Sequence, residues 1–259
     1  MIPAWLRIRI PSRKRPQNVE RLLKVFPTAV FVVHESEREE YAAAAGPEHV
    51  ETHKVVGSIN AIRYGIIKAV PEEDSLLMID DDFRCRVQVL CAEKPYNLSR
   101  PEDIRQIVAN TAQASRDVEA GMFGFASSGR PMFYKPQEPM AVFGFIQQAI
   151  GIHDKSILPD LAMRNMEDAD MCLQCALRNR YMYIDQRFHF DFGLVWSGAG
   201  GLQGVRTTEQ ERKDRAYLAE KWGPYIQLYR SKKEQKTSTA QNMPMVLRVE
   251  RRSHLAAVR

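Results

Sequence analysis

The stretch Leu76-Leu77-Met78-Ile79-Asp80-Asp81-Asp82-Phe83 decides the fold prediction, because an apolar run ends abruptly at three carboxylates. A run of this kind predicts a strand buried on both faces of an α/β sheet. Such sheets bind ligands at the carboxyl ends of their strands, where these acids lie. Adjacent carboxylates repel one another, and a shared divalent cation would sustain them. The alternative is a solvated turn whose acids cap a helix.

The sequence on either side of this stretch alternates between strand and helix patterns. Short apolar runs predict strands over residues 5–10, 29–33 and 75–79, and apolar residues at helical spacing predict helices over residues 18–25, 35–45 and 58–70. Further helices are predicted over residues 101–119, 165–179 and 207–222, with aromatic segments from residue 122 and one strand over residues 181–192. The alternation predicts an α/β protein.

The chain is expected to form one domain over residues 1–230, followed by a basic tail over residues 231–259. One apolar stretch, residues 243–249, interrupts the polar tail. Two options follow for this tail: it is partly disordered, or it adds an edge strand to the core.

Composition narrows the class of protein. The chain of 259 residues is 44% hydrophobic and 27% charged, which is typical of a soluble globular protein, and no apolar run approaches the length of a membrane span. The start has no signal-peptide order, and the four cysteines are thinly spread, so a reduced, cytoplasmic location is expected.

The charge is unevenly distributed along the chain. The net charge is +5, but residues 1–24 and residues 230–259 carry +6 each, which leaves −7 for the centre. Basic ends of this kind suit a polyanion or a phosphorylated ligand. The alternative is an ordinary solvated surface.

Two further segments are candidates for a nucleotide site. Pro11, Ser12 and Arg13 follow the first predicted strand, where a loop offers backbone N–H groups and basic side chains to a nucleotide. Asn60 and Arg63 lie one turn apart on a predicted helix, where a guanidinium could reach a diphosphate or a base edge. The alternatives are a basic surface turn and an ordinary exposed arginine.

The acidic pair Glu167-Asp168 begins a later predicted helix. Acids in a first turn favour the helix dipole without any active site. Their position between loop and helix also suits a general base that acts at the same sheet edge as the Asp triplet.

Two other features concern metals. Cys172 and Cys175 form a Cys-x-x-Cys, but they lie in an apolar helical stretch and are interpreted as small core residues rather than zinc ligands. His189 alternates with aromatic residues in Phe188-His189-Phe190-Asp191-Phe192, which predicts an aromatic core face and a polar face shared by His189 and Asp191.

Taken in order, these features resemble the GT-A nucleotide-sugar glycosyltransferases over residues 7–223. The shared landmarks are Ile-Pro-Ser-Arg-x-Arg-Pro after a first strand, Gly…Asn-x-x-Arg on a helix, Asp-Asp-Asp after a strand, and a later Glu-Asp helix. The Ile-Asp-Asp-Asp-Phe signature, the strand at residues 188–192 and Gly-Gly-x-x-Gly-x-Arg at residues 200–206 are similar to the TET-associated glycosyltransferases of phages.

The resemblance implies a GT-A-like, Rossmann-type mixed sheet flanked by helices, a UDP-sugar donor, and Mn²⁺ or Mg²⁺. It implies that Asp80 meets the ribose and that Asp82 holds the metal, with Asp81 supporting or sharing that role. It also implies that Asp168, with Glu167 beside it, is the acceptor base, and which of these two acids acts stays open. A late histidine, His189, would join the metal. The remaining nucleotide-sugar contacts would be Pro11, Ser12, Arg13, Asn60, Arg63 and Arg206.

The narrower resemblance implies that the acceptor of the hexose is 5-hydroxymethylcytosine in DNA. It also implies that the protein is located in the cytoplasm of a phage-infected bacterium. Two alternatives stay open. The acceptor could be a protein side chain or a bacterial surface glycan, or the chain could be a non-catalytic module that binds nucleotide sugar and nucleic acid. The intact Asp triplet argues against the non-catalytic alternative.

Overall fold

Strand β4, Ser75–Ile79, is buried along its whole length, as its apolar sequence predicts. The computed structural model describes residues 1–192, 207–228 and 245–247. The other strands are β1 Leu6–Pro11, β2 Val30–His34, β3 Val50–His53, β5 Val87–Val89, β6 Tyr96–Leu98, β7 Met122–Phe125, β8 Met140–Ala141, β9 Ala149–Ile152, β10 Tyr183–Asp185, β11 Phe188–Phe190, β12 Ile226–Leu228 and β13 Met245–Leu247. The α-helices are α1 Val19–Val25, α2 Arg38–Ala45, α3 Ile59–Ala69, α4 Pro101–Asp117, α5 Glu167–Arg178 and α6 Thr208–Trp222.

Eight strands form one mixed sheet in the order β3-β2-β1-β4-β9-β7-β10-β8. Strands β1 to β4 pair in parallel, β9 is antiparallel to both β4 and β7, and β10 is parallel to β7. The carboxyl ends of β1, β2, β3, β4, β7 and β10 therefore lie together at what we call the carboxyl edge. This architecture confirms the predicted α/β class with a mixed sheet flanked by helices.

Helices cover both faces of the sheet, so it has two hydrophobic cores. Leu77 and Ile79 of β4 pack in one core with apolar residues of α1 and α4. Leu76 and Met78, which point the other way, pack in the second core with residues of α3 and α5. A strand covered on both faces needs apolar residues at every position, which is why β4 does not alternate.

The predicted strand over residues 181–192 is wrong as a single element. The chain forms β10 in the large sheet, turns, and continues as β11, which pairs with β5 in a three-stranded sheet. The carboxylate of Asp185 fixes the turn by accepting hydrogen bonds from the backbone and side chain of Arg187. The polar run Asp185-Gln186-Arg187 interrupts the alternation at this turn, and the apolar alternation resumes from Phe188.

The tail contributes one described strand. Met245–Leu247 pairs antiparallel with Ile226–Leu228 in a separate two-stranded sheet, so the tail adds a strand, but not to the large sheet. Within the described parts of the chain, no helix combines the length and apolar character that a membrane span requires.

Candidate functional site

Three consecutive carboxylates follow β4 at the carboxyl edge, and their surroundings differ. Asp81 is buried, whereas Asp80 and Asp82 are partly exposed. One oxygen of Asp82, Oδ1, is buried and has no hydrogen-bond partner among the described residues. Burial and the neighbouring Asp81 carboxylate raise the pKa of Asp82. A buried acceptor without a donor suits a bound cation, so Asp82 fits the predicted divalent metal.

The described residues do not complete a metal site by themselves. In residues 1–192, 207–228 and 245–247, no group of three or more His, Cys, Asp or Glu side chains is placed to hold a metal ion. Magnesium commonly takes one or two carboxylates and completes its shell with substrate phosphates and water. A metal at Asp82 would therefore need further oxygen ligands, such as water or a bound phosphate.

His189 lies on β11, and its Nδ1 is 2.8 Å from the backbone carbonyl of Ala126. Because a carbonyl only accepts, Nδ1 has the proton, and the lone pair of the neutral ring is on Nε2. The ring lines a small cavity together with Phe125, Gln148 and Phe192. This tautomer suits a metal ligand, but contact between His189 and a metal stays a prediction.

Arg63 of α3 joins two acids that are distant in sequence. Its buried guanidinium donates from Nη2 to Asp80 Oδ1 at 2.5 Å and from Nη1 to Glu167 Oε1 at 2.6 Å, although Glu167 is 104 residues away. The exposed-arginine alternative is therefore wrong. Burial raises the pKa of Asp80 to about 6 and that of Glu167 to about 7, against the opposing effect of the Arg63 charge. The arrangement brings the start of α5 to the Asp triplet.

Asn60 does not take the position that its predicted nucleotide contact requires. The side chain is fully buried, and its Nδ2 donates to the backbone carbonyl of Asp160 at 2.9 Å. In this structure Asn60 anchors the start of α3 to the segment before α5. A contact with a nucleotide is not supported, because no surface of Asn60 is accessible.

The two acids that begin α5 have different partners. Glu167 is buried against Arg63, whereas Asp168 is partly exposed and accepts a hydrogen bond at Oδ1 from the backbone N–H of Ala169 at 2.8 Å. The helix-start interpretation is therefore supported by the contact of Asp168 with Ala169. Asp168 is the more accessible of the two carboxylates.

The loop after β1 packs directly against Asp81. Ser12 Oγ donates to Asp81 Oδ2 at 2.6 Å, and Arg15 Nη1 donates to Asp81 Oδ1 at 2.6 Å. Each carboxylate oxygen of Asp81 thus already accepts one hydrogen bond, and its supporting or shared metal role stays a prediction. Sequence reasoning had missed Arg15 in this site.

The backbone N–H groups of the loop are largely used within the protein. Ser12 N–H donates to the carbonyl of Val32, Lys14 N–H to a carboxylate oxygen of Glu37, and Arg15 N–H to the hydroxyl of Tyr41. The expectation that these amides are open to a nucleotide is wrong for Ser12, Lys14 and Arg15. Pro11 and Arg13 are partly exposed at the same edge, and their predicted nucleotide contacts stay predictions.

Two histidines that sequence reasoning did not consider lie beside this loop. His34 ends β2 and His53 ends β3, with ring centroids 5.8 Å apart. Burial and the neighbouring His34 lower the pKa of His53. Their position at successive strand ends was a possible signal, but β3 was not predicted.

Positive φ angles occur at both edges of the sheet: Glu119 and Arg180 precede β7 and β10, and three other residues lie at the carboxyl edge. Lys14, Gln148 and Met166 have φ angles of +54°, +58° and +70°, in the left-handed region that side chains other than glycine rarely adopt. Lys14 belongs to the loop after β1, Gln148 accepts the backbone N–H of Asp80 at its carbonyl, and Met166 precedes Glu167. Strained residues often cluster at functional sites.

A long exposed segment leaves β7 at the same edge. Met132 and Phe133 are 79% and 61% exposed, and the neighbouring Arg130 and Lys135 are also exposed. Lys135 is paired with Glu138. Several bases near the start of the chain are also paired: Arg7 with Asp74, Arg9 with Glu51, Arg15 with Asp81 and Lys24 with Glu20. The basic first segment is therefore less open to a polyanion than its net charge predicts.

The remaining predictions fall in two groups. Arg206 and the glycine-rich stretch at residues 200–206 lie outside the described residues. Cys172 and Cys175 are buried in α5 within the second core, as their interpretation as core residues predicts. In comparisons with known proteins, no family model matches the chain and no curated protein matches it.

Proposed function

We propose that this protein is a metal-dependent glycosyltransferase that moves a hexose from a UDP-sugar to a hydroxyl acceptor. The observation that supports this most is the Arg63 bridge, which joins the Asp triplet after β4 to the Glu167-Asp168 pair of α5. One carboxylate group suits a metal and a nucleotide, and the other suits a base near the reacting hydroxyl.

The donor would bind along the carboxyl edge. Asp82 would hold Mn²⁺ or Mg²⁺ through its unpartnered Oδ1, and this ion would neutralise charge on the diphosphate. Asp80, which is 30% exposed and held by Arg63, would accept hydrogen bonds from the ribose. Arg13 is free of hydrogen bonds and ion pairs to described residues and would contact the phosphates.

The acceptor hydroxyl would lose its proton to Asp168. This side chain is partly exposed, and among the described residues only its Oδ1 accepts a hydrogen bond, from the backbone N–H of Ala169. Glu167 is buried against Arg63 and would instead orient that guanidinium, and through it Asp80. A base placed within reach of the hydroxyl typically raises the rate by about 10²- to 10⁴-fold.

As acceptor we propose 5-hydroxymethylcytosine in DNA. The exposed Met132 and Phe133 belong to the segment that follows β7 at the carboxyl edge, where the Asp triplet also lies. Arg130 precedes them in the same segment. Proteins that extract a base insert apolar side chains into the stack and bind the phosphates with cations. The segment provides both kinds of side chain.

A labelled-donor assay tests the proposal. We expect Mn²⁺-dependent transfer of hexose from a UDP-hexose to hydroxymethylated duplex and none to unmodified duplex. Transfer to protein or glycan instead would retain the reaction and replace the acceptor. Metal-dependent UDP binding without transfer to any of these would support the binding-module alternative, and absence of UDP binding would refute the proposed donor.

A further inference from the structure

Helix α2 has one buried side chain, that of Tyr41. The rest of this helix consists of charged residues and alanines, so Tyr41 is its main attachment to the core. The ring has no exposed surface and packs against Phe31, with ring centroids 6.1 Å apart. A phenylalanine would fill the same apolar space, so the hydroxyl needs a separate explanation.

The hydroxyl of Tyr41 lies in a short chain of hydrogen bonds that ends at Asp81. Arg15 N–H donates to it at 2.9 Å, it is 2.7 Å from Ser12 Oγ, and Ser12 Oγ donates to Asp81 Oδ2 at 2.6 Å. Arg15 also reaches Asp81 through Nη1, at 2.6 Å from Oδ1. The four residues therefore form a closed ring, which we call the Tyr41 ring.

The direction of every hydrogen bond in the Tyr41 ring is determined. A carboxylate only accepts, so the single hydroxyl proton of Ser12 goes to Asp81. Ser12 must then accept the proton of Tyr41, and Tyr41 accepts the N–H of Arg15. Burial raises the pKa of Tyr41 to about 12, so the phenol keeps the proton that this arrangement requires.

Helix α2 also holds the neighbouring residue of the loop. The backbone N–H of Lys14 donates to Glu37, just before α2 begins, at 2.7 Å. Lys14 has the left-handed φ of +54°, which costs conformational energy unless the surroundings fix it. Two successive amides of a strained loop are thus held, one by Tyr41 of α2 and one by the residue just before α2.

We propose that Tyr41 is a positioning residue that sets residues 12–15 against Asp81 in the conformation that binds the nucleotide diphosphate. The inference rests on the proposed function for the identity of the ligand, but the ring itself is a property of the free protein. Tyr41 has no exposed surface and does not touch the ligand. Its effect reaches the ligand through Arg13 of this loop, which is partly exposed.

The test compares Tyr41→Phe, Ser12→Ala and the double variant with wild type. With Mn²⁺ and UDP as probe, calorimetry should give a Kd raised by about 10-fold in each single variant, the scale of one lost buried hydrogen bond. Because both changes break one chain, the double variant should be little worse than either single variant. A purely structural role would lower Tm and leave the Kd unchanged.

Tyr181→Phe is the matched control, because it removes a hydroxyl that bonds the backbone carbonyl of Val118. It should leave the Kd for UDP unchanged. Additive effects of Tyr41→Phe and Ser12→Ala, or an unchanged Kd in folded Tyr41→Phe protein, would overturn the inference.

Amide hydrogen exchange separates this inference from the proposed function. In the free protein, Tyr41→Phe should speed exchange at Lys14 and Arg15 by about 10-fold or more, because the loop opens more often. If the wild-type protein binds no UDP, the proposed donor is wrong, but faster exchange in Tyr41→Phe would still support the positioning role of Tyr41. Unchanged exchange at both amides would refute that role.

Discussion

Asp80, Asp81 and Asp82 have the same side chain, and their partners give them different roles. Asp80 is neutralised by Arg63, Asp81 is held by Ser12 and Arg15, and Asp82 keeps one buried oxygen without a donor among the described residues. An unpaired buried carboxylate is unfavourable unless a proton or a cation satisfies it. Of the three, Asp82 is therefore the best candidate for binding a cation.

We expect Asp82→Asn to abolish turnover and Mn²⁺-dependent binding of UDP-sugar while the fold stays intact. The amide removes the charge that a divalent cation needs, but it keeps the size of the side chain. Calorimetry with and without Mn²⁺ measures the effect, and circular dichroism checks the fold. Metal-dependent affinity equal to that of wild type would exclude Asp82 as the ligand.

At the start of α5, Asp168→Asn should lower the rate of sugar transfer by roughly 10²-fold or more and leave donor affinity near wild type, as expected for loss of a general base. Single-turnover kinetics with hydroxymethylated DNA would measure it. A normal rate of sugar transfer in this variant would show that Asp168 is not the base and only stabilises the start of the helix.

Glu167→Gln provides the comparison, and its expected defect differs. It leaves the buried Arg63 with one carboxylate partner instead of two, so the free energy of unfolding should fall by about 1–3 kcal/mol and donor affinity should weaken. If Glu167→Gln is inactive with unchanged stability and donor affinity, while Asp168→Asn is active, the base is Glu167.

At the scale of elements, α6 holds the segment that leads into α5. The carboxylate of Asp214 accepts hydrogen bonds from the backbone N–H groups of Arg164 and Asn165. Near the other end of α6, Lys221 and Trp222 donate to the buried Asp170 of α5. These contacts fix the position of Met166 and Glu167, which the sequence of α5 alone does not determine.

A second junction of elements lies around His153, at the opposite edge of the sheet. Nε2 is 2.7 Å from Ser115 Oγ of α4, and Nδ1 is 2.7 Å from Ser75 Oγ of β4. Since Ser115 donates its proton to the carbonyl of Ala112, it accepts from Nε2–H, and Ser75 donates to Nδ1. Burial, together with the charge of Arg116, lowers the pKa of His153 to about 4.

This pKa predicts a specific loss of stability in acid. Between about pH 6.5 and pH 4 the unfolded chain binds a proton at His153 that the folded protein does not, so the free energy of unfolding decreases as the pH falls. We expect a loss of about 1–3 kcal/mol from this group. Denaturation by urea at about pH 7 and about pH 4.5 measures it.

His153→Gln is the control, because glutamine does not titrate in this range. The variant should be less stable than wild type at neutral pH, yet its stability should decrease less on acidification. Equal pH dependence in both proteins would show that His153 does not set the acid response.

For the whole molecule, the distribution of charge determines how a polyanion would bind. Several bases of the first segment are neutralised by internal acids, which leaves the exposed segment after β7 and the basic tail as the stronger candidates for phosphate contacts. The tail also includes β13, so removing it from residue 231 would delete a paired strand. A truncation after Leu247 avoids that loss.

If duplex DNA is the acceptor, log affinity should fall linearly with log salt, and donor binding should be much less sensitive to salt. Deleting residues 248–259 removes four arginines and one glutamate, so the slope should decrease by up to about 3. Fluorescence anisotropy across salt concentrations measures it, with modified and unmodified duplex giving similar affinity because phosphate contacts do not specify sequence.

Two outcomes would contradict this prediction. An unchanged slope in a truncated protein that still binds UDP would show that residues 248–259 do not contact DNA. If the full-length protein has no measurable affinity for DNA at low salt, DNA is not the acceptor, and a protein or a glycan becomes the favoured acceptor.

The sequence by itself determined the features that depend on neighbouring residues. The run at 76–79 requires burial on both faces, the helical spacing at 58–70 and 101–119 requires one covered face, and the acids at 80–82 end a strand wherever that strand lies. These features also placed the Asp triplet at the carboxyl edge, because ligand-binding edges follow from strand direction in α/β sheets.

Tertiary structure alone decided which distant groups meet. Four features bring together segments that are far apart in the chain. They are the position of β9 between β4 and β7, the contacts that bury Asn60, the bridge from Arg63 to Glu167, and the ring from Tyr41 to Asp81. Periodicity reports which face of an element is apolar, but it does not report which element covers that face. An isolated arginine or tyrosine therefore has the same local pattern whether it is exposed or holds a buried carboxylate in place.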